Sequence, residues 1–400
     1  MSPSQRRNVA CLAMVSWAAA FTRGAVDLPS LDSTEARRAA PLDRQTLFSK
    51  GQSGYHTFRI PSLLVTPAGT LLAFGEGRRE GASDHGDVDL VLRRSTDGGN
   101  SWSAIETVWD DSTNTCGNPC PVVDQSTGYL WLLMTWNRGE DRESAIIAGQ
   151  GRDTRRVFVT RSLDDGRSWS APTEITRQVK TTNWTWYATG PGTGIQLQRG
   201  SKRERLVIPC DHIEAGTKRY GAHVIYSDDH GLTWQLGGSA PNDQVNECEA
   251  VELDDGHLLL NMRNYESTQP SRQIASSADG GDTWLDPRHD PALPDPICQA
   301  SIRRYSWPAT NQAGVILFSN PAGHRRERMT IRASVDDGRT WPMSRVLEPG
   351  PSAYSCLARL GDGRIGLLFE TGQSSPYEEI VLARFSLDWL MPVVDGPVEP

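Results

Sequence analysis

Ser95-Thr96-Asp97-Gly98-Gly99-Asn100-Ser101-Trp102 is one copy of a pattern, Ser-x-Asp-x-Gly-x-Ser/Thr-Trp, that the chain carries five times. The others run from Ser162 to Trp169, Ser227 to Trp234, Ser277 to Trp284 and Ser334 to Trp341. Their starts are 67, 65, 50 and 57 residues apart, so this is an internal repeat. Each copy reads as a hairpin turn. A strand leads in, the Asp side chain bonds turn N–H groups, and Gly supplies a positive φ. The Trp packs as the next strand begins. Asp97, Asp164 and Asp336 close to Gly raise the alternative of a calcium loop. The spacing lacks the alternating carboxylates and distal Glu of an EF-hand, so the element is read as a structural staple.

The rest of the chain agrees with an all-β reading. Short apolar runs such as Leu63-Leu64-Val65 and Leu258-Leu259-Leu260 alternate with Gly, Asp, Asn and Pro clusters, and helical periodicity is rare. A net charge of −8 argues against a nucleic-acid partner, which needs clustered Lys and Arg. Residues 1–25 read as a signal peptide: Arg6 and Arg7 precede an apolar run over residues 9–21 with Ala18-Ala19-Ala20 near its end. That places the protein in a secreted, periplasmic or lysosomal-type lumen. The run is too short to span a bilayer, and no other stretch is a stable membrane span. Residues 26–44 read as a linker and 45–395 as the folded domain. Of seven cysteines, Cys11 falls in the leader. The others fit neither a disulfide scaffold nor a zinc signature, and Cys116 and Cys120 either bridge or pack, with packing favoured. No metal site or cofactor is expected.

The repeats resemble the Asp boxes of sialidases and their relatives. A period of about fifty to sixty residues suits one four-stranded β-propeller blade. The resemblance therefore implies a six-bladed β-propeller with Asp-box hairpins, one blade being degenerate. Asp boxes also occur in non-catalytic propellers, so they do not by themselves establish an enzyme.

Phe58-Arg59-Ile60-Pro61 separates these possibilities. It resembles the sialidase motif that supplies the first of three arginines gripping the substrate carboxylate. The segment Glu76-Gly77-Arg78, Ser83-Asp84-His85-Gly86, Leu92-Arg93-Arg94-Ser95 is similar to the family's second segment. By that resemblance Arg78 contacts the sugar's 4-hydroxyl and Asp84 is the acid/base, with Asp87 and Asp89 as competitors. Asn246-Glu247-Cys248-Glu249, with Asn261-Met262-Arg263-Asn264, resembles the segment of the catalytic Glu and second arginine. That makes Glu247 the base and Arg263 the arginine; Glu249, two residues on, shares the strand face and is the rival. The third arginine is Arg326 by register, but the run His324-Arg325-Arg326-Glu327-Arg328 departs from the family's usual Arg-x-Asn-Leu and keeps Arg325 and Arg328 open. Gly350-Pro351-Ser352-Ala353-Tyr354-Ser355 matches the nucleophile segment, giving Tyr354, and Leu367-Leu368-Phe369-Glu370 supplies a carboxylate partner for the first arginine. Trp186 to Gly192 is similar to a family loop at the site's mouth. These side chains are expected to begin or end inner strands in different blades.

The chemistry suits the residue types. Sialic acid carries a carboxylate on its anomeric carbon, and Arg pairs with a carboxylate bidentately. Sialidases use a Tyr nucleophile where most retaining glycosidases use a carboxylate. A neutral phenol avoids repulsion from the substrate's own charge, but it needs a base to attack. The resemblance thus implies a cofactor-free retaining exo-α-sialidase acting on sialylated glycans: glycoproteins, gangliosides or oligosaccharides. A trans-sialidase and a non-catalytic glycan-binding propeller are the alternatives.

Overall fold

The computed structural model describes residues 42–390. The expected leader and nearly all of the expected linker lie outside the described residues. What is described is all-β, with 24 strands and only short helical turns. No helix among the described residues is long and apolar enough to cross a membrane.

Pairing is local and almost entirely antiparallel, in successive four-stranded meanders. The first comprises Thr57–Val65, Leu71–Arg78, Val88–Ser95 and Glu106–Trp109, and the second Thr115–Val123, Leu130–Asn137, Arg156–Ser162 and Thr173–Glu174. The third comprises Trp184–Thr189, Leu206–Glu214, Tyr220–Ser227 and Gln235–Ser239, and the fourth Val245–Glu252, Leu258–Asn264, Ser271–Ser277 and Leu285–Pro294. The fifth begins with Ser301–Ser306, Val315–Pro321 and Glu327–Ser334. Its outer strand is the first half of the 17-residue Met343–Arg359, whose second half opens the sixth meander. Ile365–Thr371 and Glu379–Phe385 follow, and the edge is completed by Asp43–Ser49 from the start of the chain, with Asp43 opposite Arg384. That strand takes in the last two residues of the stretch read as linker.

Strand pairing leaves four separate sheets, because most neighbouring meanders share no ladder. Side-chain packing joins them instead. Leu72, Phe74 and Leu92 of the first meander meet Leu130, Leu132 and Met134 of the second. Equivalent buried clusters lie between each later pair. A further one sets Cys356, Leu368 and Leu382 of the sixth against Leu63, Ala73 and Val91 of the first. The inner strands are buried on both faces for this reason, unlike the alternating pattern of a half-solvated sheet.

The repeat sits between the third and fourth strands of each of the first five meanders, and its residues do what the sequence suggests. In the first copy Asp97 Oδ1 accepts from Ser101 N at 2.9 Å and Oδ2 from Ser101 Oγ at 2.6 Å, while Gly99 N donates to Ser95 Oγ at 2.8 Å. The same three bonds recur around Asp164, Asp229, Asp279 and Asp336. These donors favour the ionised carboxylate and hold Asp164 down to about 2. With its oxygens used by the loop's own donors, the Asp is a staple. The Trp of each copy packs back towards the preceding meander: Trp169 edges onto Phe74 and Trp234 onto Trp131, with centroids 5.7 and 6.4 Å apart. In the sixth meander Ser386-Leu387-Asp388-Trp389 stands in the same place, and Trp389 is buried between the fifth and sixth. The degenerate copy thus keeps its Trp and loses its Gly.

All six described cysteines are unpaired and buried, Cys116 and Cys120 included. They pack as small apolar side chains.

Candidate active site

In an antiparallel hairpin the start of the first strand lies beside the end of the second. Thr57 faces Arg78, Arg59 faces Glu76, Val245 faces Asn264, and Ser352 faces Thr371. Functional side chains on one end of the fold therefore come in pairs from one meander. This corrects the expectation of inner strands in different blades. Arg59, Glu247 and Tyr354 stand on inner strands, whereas Arg78, Arg263 and Glu370 end second strands, and Asp84 and Arg326 stand on loops.

The inner strands are irregular where they reach the site. Pairing slips between Arg59 and Ser62, Gly117 and Cys120, Val245 and Cys248, and Ser352 and Ser355. Bulges re-aim side chains in this way. Two have a legible cause. Pro61 and Pro119 cannot donate to a ladder, and the residues before them, Ile60 and Asn118, adopt φ of 58° and 54°. For β-branched Ile60 this is strained, on the order of 1–3 kcal/mol. Glu370 holds it there. This fully buried carboxylate accepts from Arg59 Nε at 2.7 Å, Ile60 N at 2.9 Å and, through its other oxygen, Tyr354 N at 3.1 Å.

Tyr354 is the point on which the site converges. Its hydroxyl donates to Glu247 Oε1 at 2.6 Å and accepts from Arg263 Nη1 at 3.0 Å. Arg263 also pairs with Glu247 Oε2 at 2.6 Å. The guanidinium carbons of Arg59 and Arg326 lie 5.2 and 5.4 Å from the Tyr354 ring centre. Burial, reinforced by the Glu247 charge, raises the phenol well above its ordinary pKa, while Arg263 and Arg326 pull the other way. The resting hydroxyl is neutral and already hydrogen-bonded to a carboxylate.

Arg326 donates to Tyr377 Oη at 2.8 Å and to Ile297 O at 3.0 Å, and it lines the cavity with Arg59 and Arg263. Arg325 and Arg328 are exposed and do not line it. Arg78 is buried, pairing with Glu76 at 2.6 Å and with Asp84 at 2.7 Å. Gly117 makes room for this arrangement, since a Cβ there would lie 2.3 Å from Glu76 Oε1. Asp84 stands at the rim with its side chain 59% exposed. Desolvation pushes its pKa up, but Arg78 and Arg59 more than offset this and hold it below the usual carboxylate range.

The competitors point elsewhere. Asp89 is buried in its strand against Tyr55 Oη and Arg79 Nη2, each at 2.6 Å. Asp87 faces Arg79 at 3.4 Å. Glu249 shares the inward face with Glu247 but lies deeper, accepting from Thr193 N, Ser301 Oγ and Ile302 N at 2.8–3.1 Å.

All of Arg59, Arg78, Asp84, Glu247, Arg263, Arg326 and Tyr354 line one cavity of about 150 Å³, with Glu370 directly behind. Trp186 is at its wall, as the loop resemblance implied. Asn118, Glu143, Arg155, Asp211 and Tyr265 also line it, and sequence reasoning did not single them out. Asn118 was findable, because Gly-Asn-Pro repeats the Ile-Pro break of the first meander. Asp211 was findable as a charge directly after the apolar run Leu206-Val207-Ile208-Pro209-Cys210, within the same strand. Glu143 and Arg155 lie in a polar stretch that looks like solvated loop.

Comparison with known proteins identifies the family. The family model described as "BNR repeat-like domain" matches residues 69–367. The chain is 35% identical over 399 residues to the "Sialidase" of Micromonospora viridifaciens, covering 96% of this chain and 60% of that one. It is 32% identical to the "Exo-alpha-sialidase" of Aspergillus fumigatus, covering 86% of each. The chain belongs to the sialidase family. These are glycoside hydrolases, and the solved structure titled "Hadza microbial sialidase Hz136" superposes with a TM-score of 0.76 at 30% identity, covering 85% of this chain and 68% of that one. The expected membership of the sialidase family is borne out, and so is the all-β fold.

Proposed function

We propose that this sialidase-family chain is a retaining exo-α-sialidase that releases terminal sialic acid from glycoproteins, glycolipids or oligosaccharides through a tyrosyl-linked intermediate. The observation that carries this is Tyr354 bonded at 2.6 Å to Glu247 and ringed by Arg59, Arg263 and Arg326. The three arginines match an anionic anomeric substituent. Glu247 takes the phenol proton as Tyr354 attacks, and the arginines stabilise the phenolate that develops. Asp84 protonates the departing oxygen and then activates water. Two displacements at one carbon give retention. The scaffold for this is read as a six-bladed propeller, in which each meander is a blade and the strand Asp43–Ser49 closes the ring on the last.

The test is turnover of an aryl sialoside followed by NMR. The sugar released first should carry the substrate's anomeric configuration; inversion would exclude a covalent intermediate, and no release would leave a binding module. Adding lactose as acceptor separates hydrolysis from transfer.

The third arginine has its own expectation. Arg326→Ala should lower kcat/KM at least about tenfold, the effect of losing a charge-assisted bond of about 1.5–3 kcal/mol. Arg325→Ala and Arg328→Ala should stay near wild type. Loss confined to Arg328→Ala would move the clamp to that residue.

A further inference from the structure

A second cavity, of about 440 Å³, lies at the other end of the inner strands. Val65, Val251 and Leu357 line it, roughly 10–20 Å along their strands from Arg59, Glu247 and Tyr354. All six meanders contribute to its wall, and none of its residues lines the candidate active site.

Its charge is unbalanced. Arg303, Arg304 and Arg359 line it with a single carboxylate, Glu252. Glu252 accepts from Gln198 N and Arg199 N at 2.7 and 2.8 Å, and Arg304 pairs with Asp337 at 2.6 Å. Arg303 and Arg359 have no carboxylate partner among the described residues. Arg303 makes one long bond, from Nη1 to Gly194 O at 3.4 Å; its Nε is buried and unpartnered, whereas Nη2 is unpartnered and still reached by solvent. Its charge acts on the buried Glu249, Cys120 and Cys356, so it stands at the inner end of the cavity. Glu249 does not neutralise it at contact, because both carboxylate oxygens are spent on Thr193, Ser301 and Ile302. Arg359 is exposed at the entrance, 5.4 Å from the Tyr305 ring centre. In a chain of net charge −8, two unpaired arginines in one cavity call for an anion.

The rest of the wall decides which kind. Its polar groups are largely consumed: Gln196 Nε2 donates to Asp124 and Trp307 Nε1 to Gln198, each at 2.8 Å. What remains is aliphatic surface from Val65, Val123, Val251 and Leu357. A compact anion such as phosphate would leave that surface wet, and a neutral ligand would leave the arginines unpaired. An organic acid uses both, with its carboxylate on a planar guanidinium and its body on the apolar wall.

We propose that this cavity is a second binding site, taking a small organic monocarboxylate seated on Arg303 with Arg359 at its entrance. The site does not depend on the sialidase reading.

The test is calorimetric titration with benzoate, with benzamide as the uncharged analogue and inorganic phosphate as the compact anion. Benzoate should bind with a Kd of about 1 mM or tighter, ordinary for so small a ligand. Benzamide and phosphate should bind at least about tenfold more weakly. The active-site arginines are a rival seat for a carboxylate, and two variants separate the seats. Arg303→Met, which keeps most of the side chain's length, should weaken benzoate at least about tenfold. Arg326→Ala should bind it as wild type does. Arg359→Ala changes only an exposed side chain, so it should fold normally and weaken benzoate severalfold, which keeps the test decisive if Arg303→Met fails to fold. Three results would overturn the proposal: no benzoate binding, benzoate no tighter than benzamide or phosphate, or binding lost in Arg326→Ala and kept in Arg303→Met and Arg359→Ala.

Discussion

Tyr354→Phe should reduce turnover by at least about three orders of magnitude, within the range seen when a group acting as part of a catalytic unit is removed. Only a hydroxyl is lost. The ring remains packed beside Arg59 and Arg326, and the backbone N–H keeps its bond to Glu370. The melting temperature should therefore stay close to wild type. Glu247 loses its 2.6 Å donor but keeps Arg263, so its charge remains paired. A fluorinated sialosyl donor, which slows the second step, should label Tyr354 in wild type and nothing in the variant, as read by peptide mass spectrometry. Labelling of Glu247 instead would make the carboxylate the nucleophile. An active Phe variant would remove covalent catalysis by this residue altogether.

The parts of this molecule that were legible in the sequence are those where one residue type is forced. Ser, Asp, Gly and Trp in the hairpin are each required by a specific bond, a positive φ or a wedge between meanders, so the repeat was visible without any structure. Phe58-Arg59-Ile60-Pro61 was visible through its resemblance to the family motif, and the structure adds why it breaks the ladder: Pro61 has no N–H to donate and Ile60 takes a φ of 58°. The choice of Glu247 over Glu249 rested on the resemblance alone. Both point inward from one strand, and what separates them is depth: the first meets Tyr354, the second three donors of the neighbouring meanders. Arg326 was assigned by register with Arg325 and Arg328 left open, because loop conformation and not periodicity turns it into the cavity. Glu143 and Arg155 were invisible for a related reason. They come from an insertion between strands, where local sequence carries no trace of which end of the fold it will cover.

Asp84→Ala should divide two substrates that differ in leaving group. A sugar alcohol departs as a strongly basic alkoxide unless protonated, whereas an aryl group such as 4-methylumbelliferone departs readily as its phenolate. General-acid catalysis contributes about 10²–10⁴-fold, and the variant should lose most of that on sialyllactose and much less on the aryl sialoside in the first step. The second step still needs a base for water, so aryl turnover falls too, and azide, which needs no base, should restore it. The Arg78 contact at 2.7 Å adds a pH signature. Desolvation raises the Asp84 pKa, but Arg78 and Arg59 together lower it further, so the free protein holds its acid mainly as carboxylate near neutrality. A substrate carboxylate seated on Arg59 offsets part of that field and favours the proton. On sialyllactose, kcat/KM should accordingly be highest on the acidic side and fall as pH rises, while the first step on the aryl substrate should depend less on pH. Equal losses on both substrates, or a wild-type profile alike for both, would take the acid role away from Asp84, and the same pair of measurements would then be applied to Asp87.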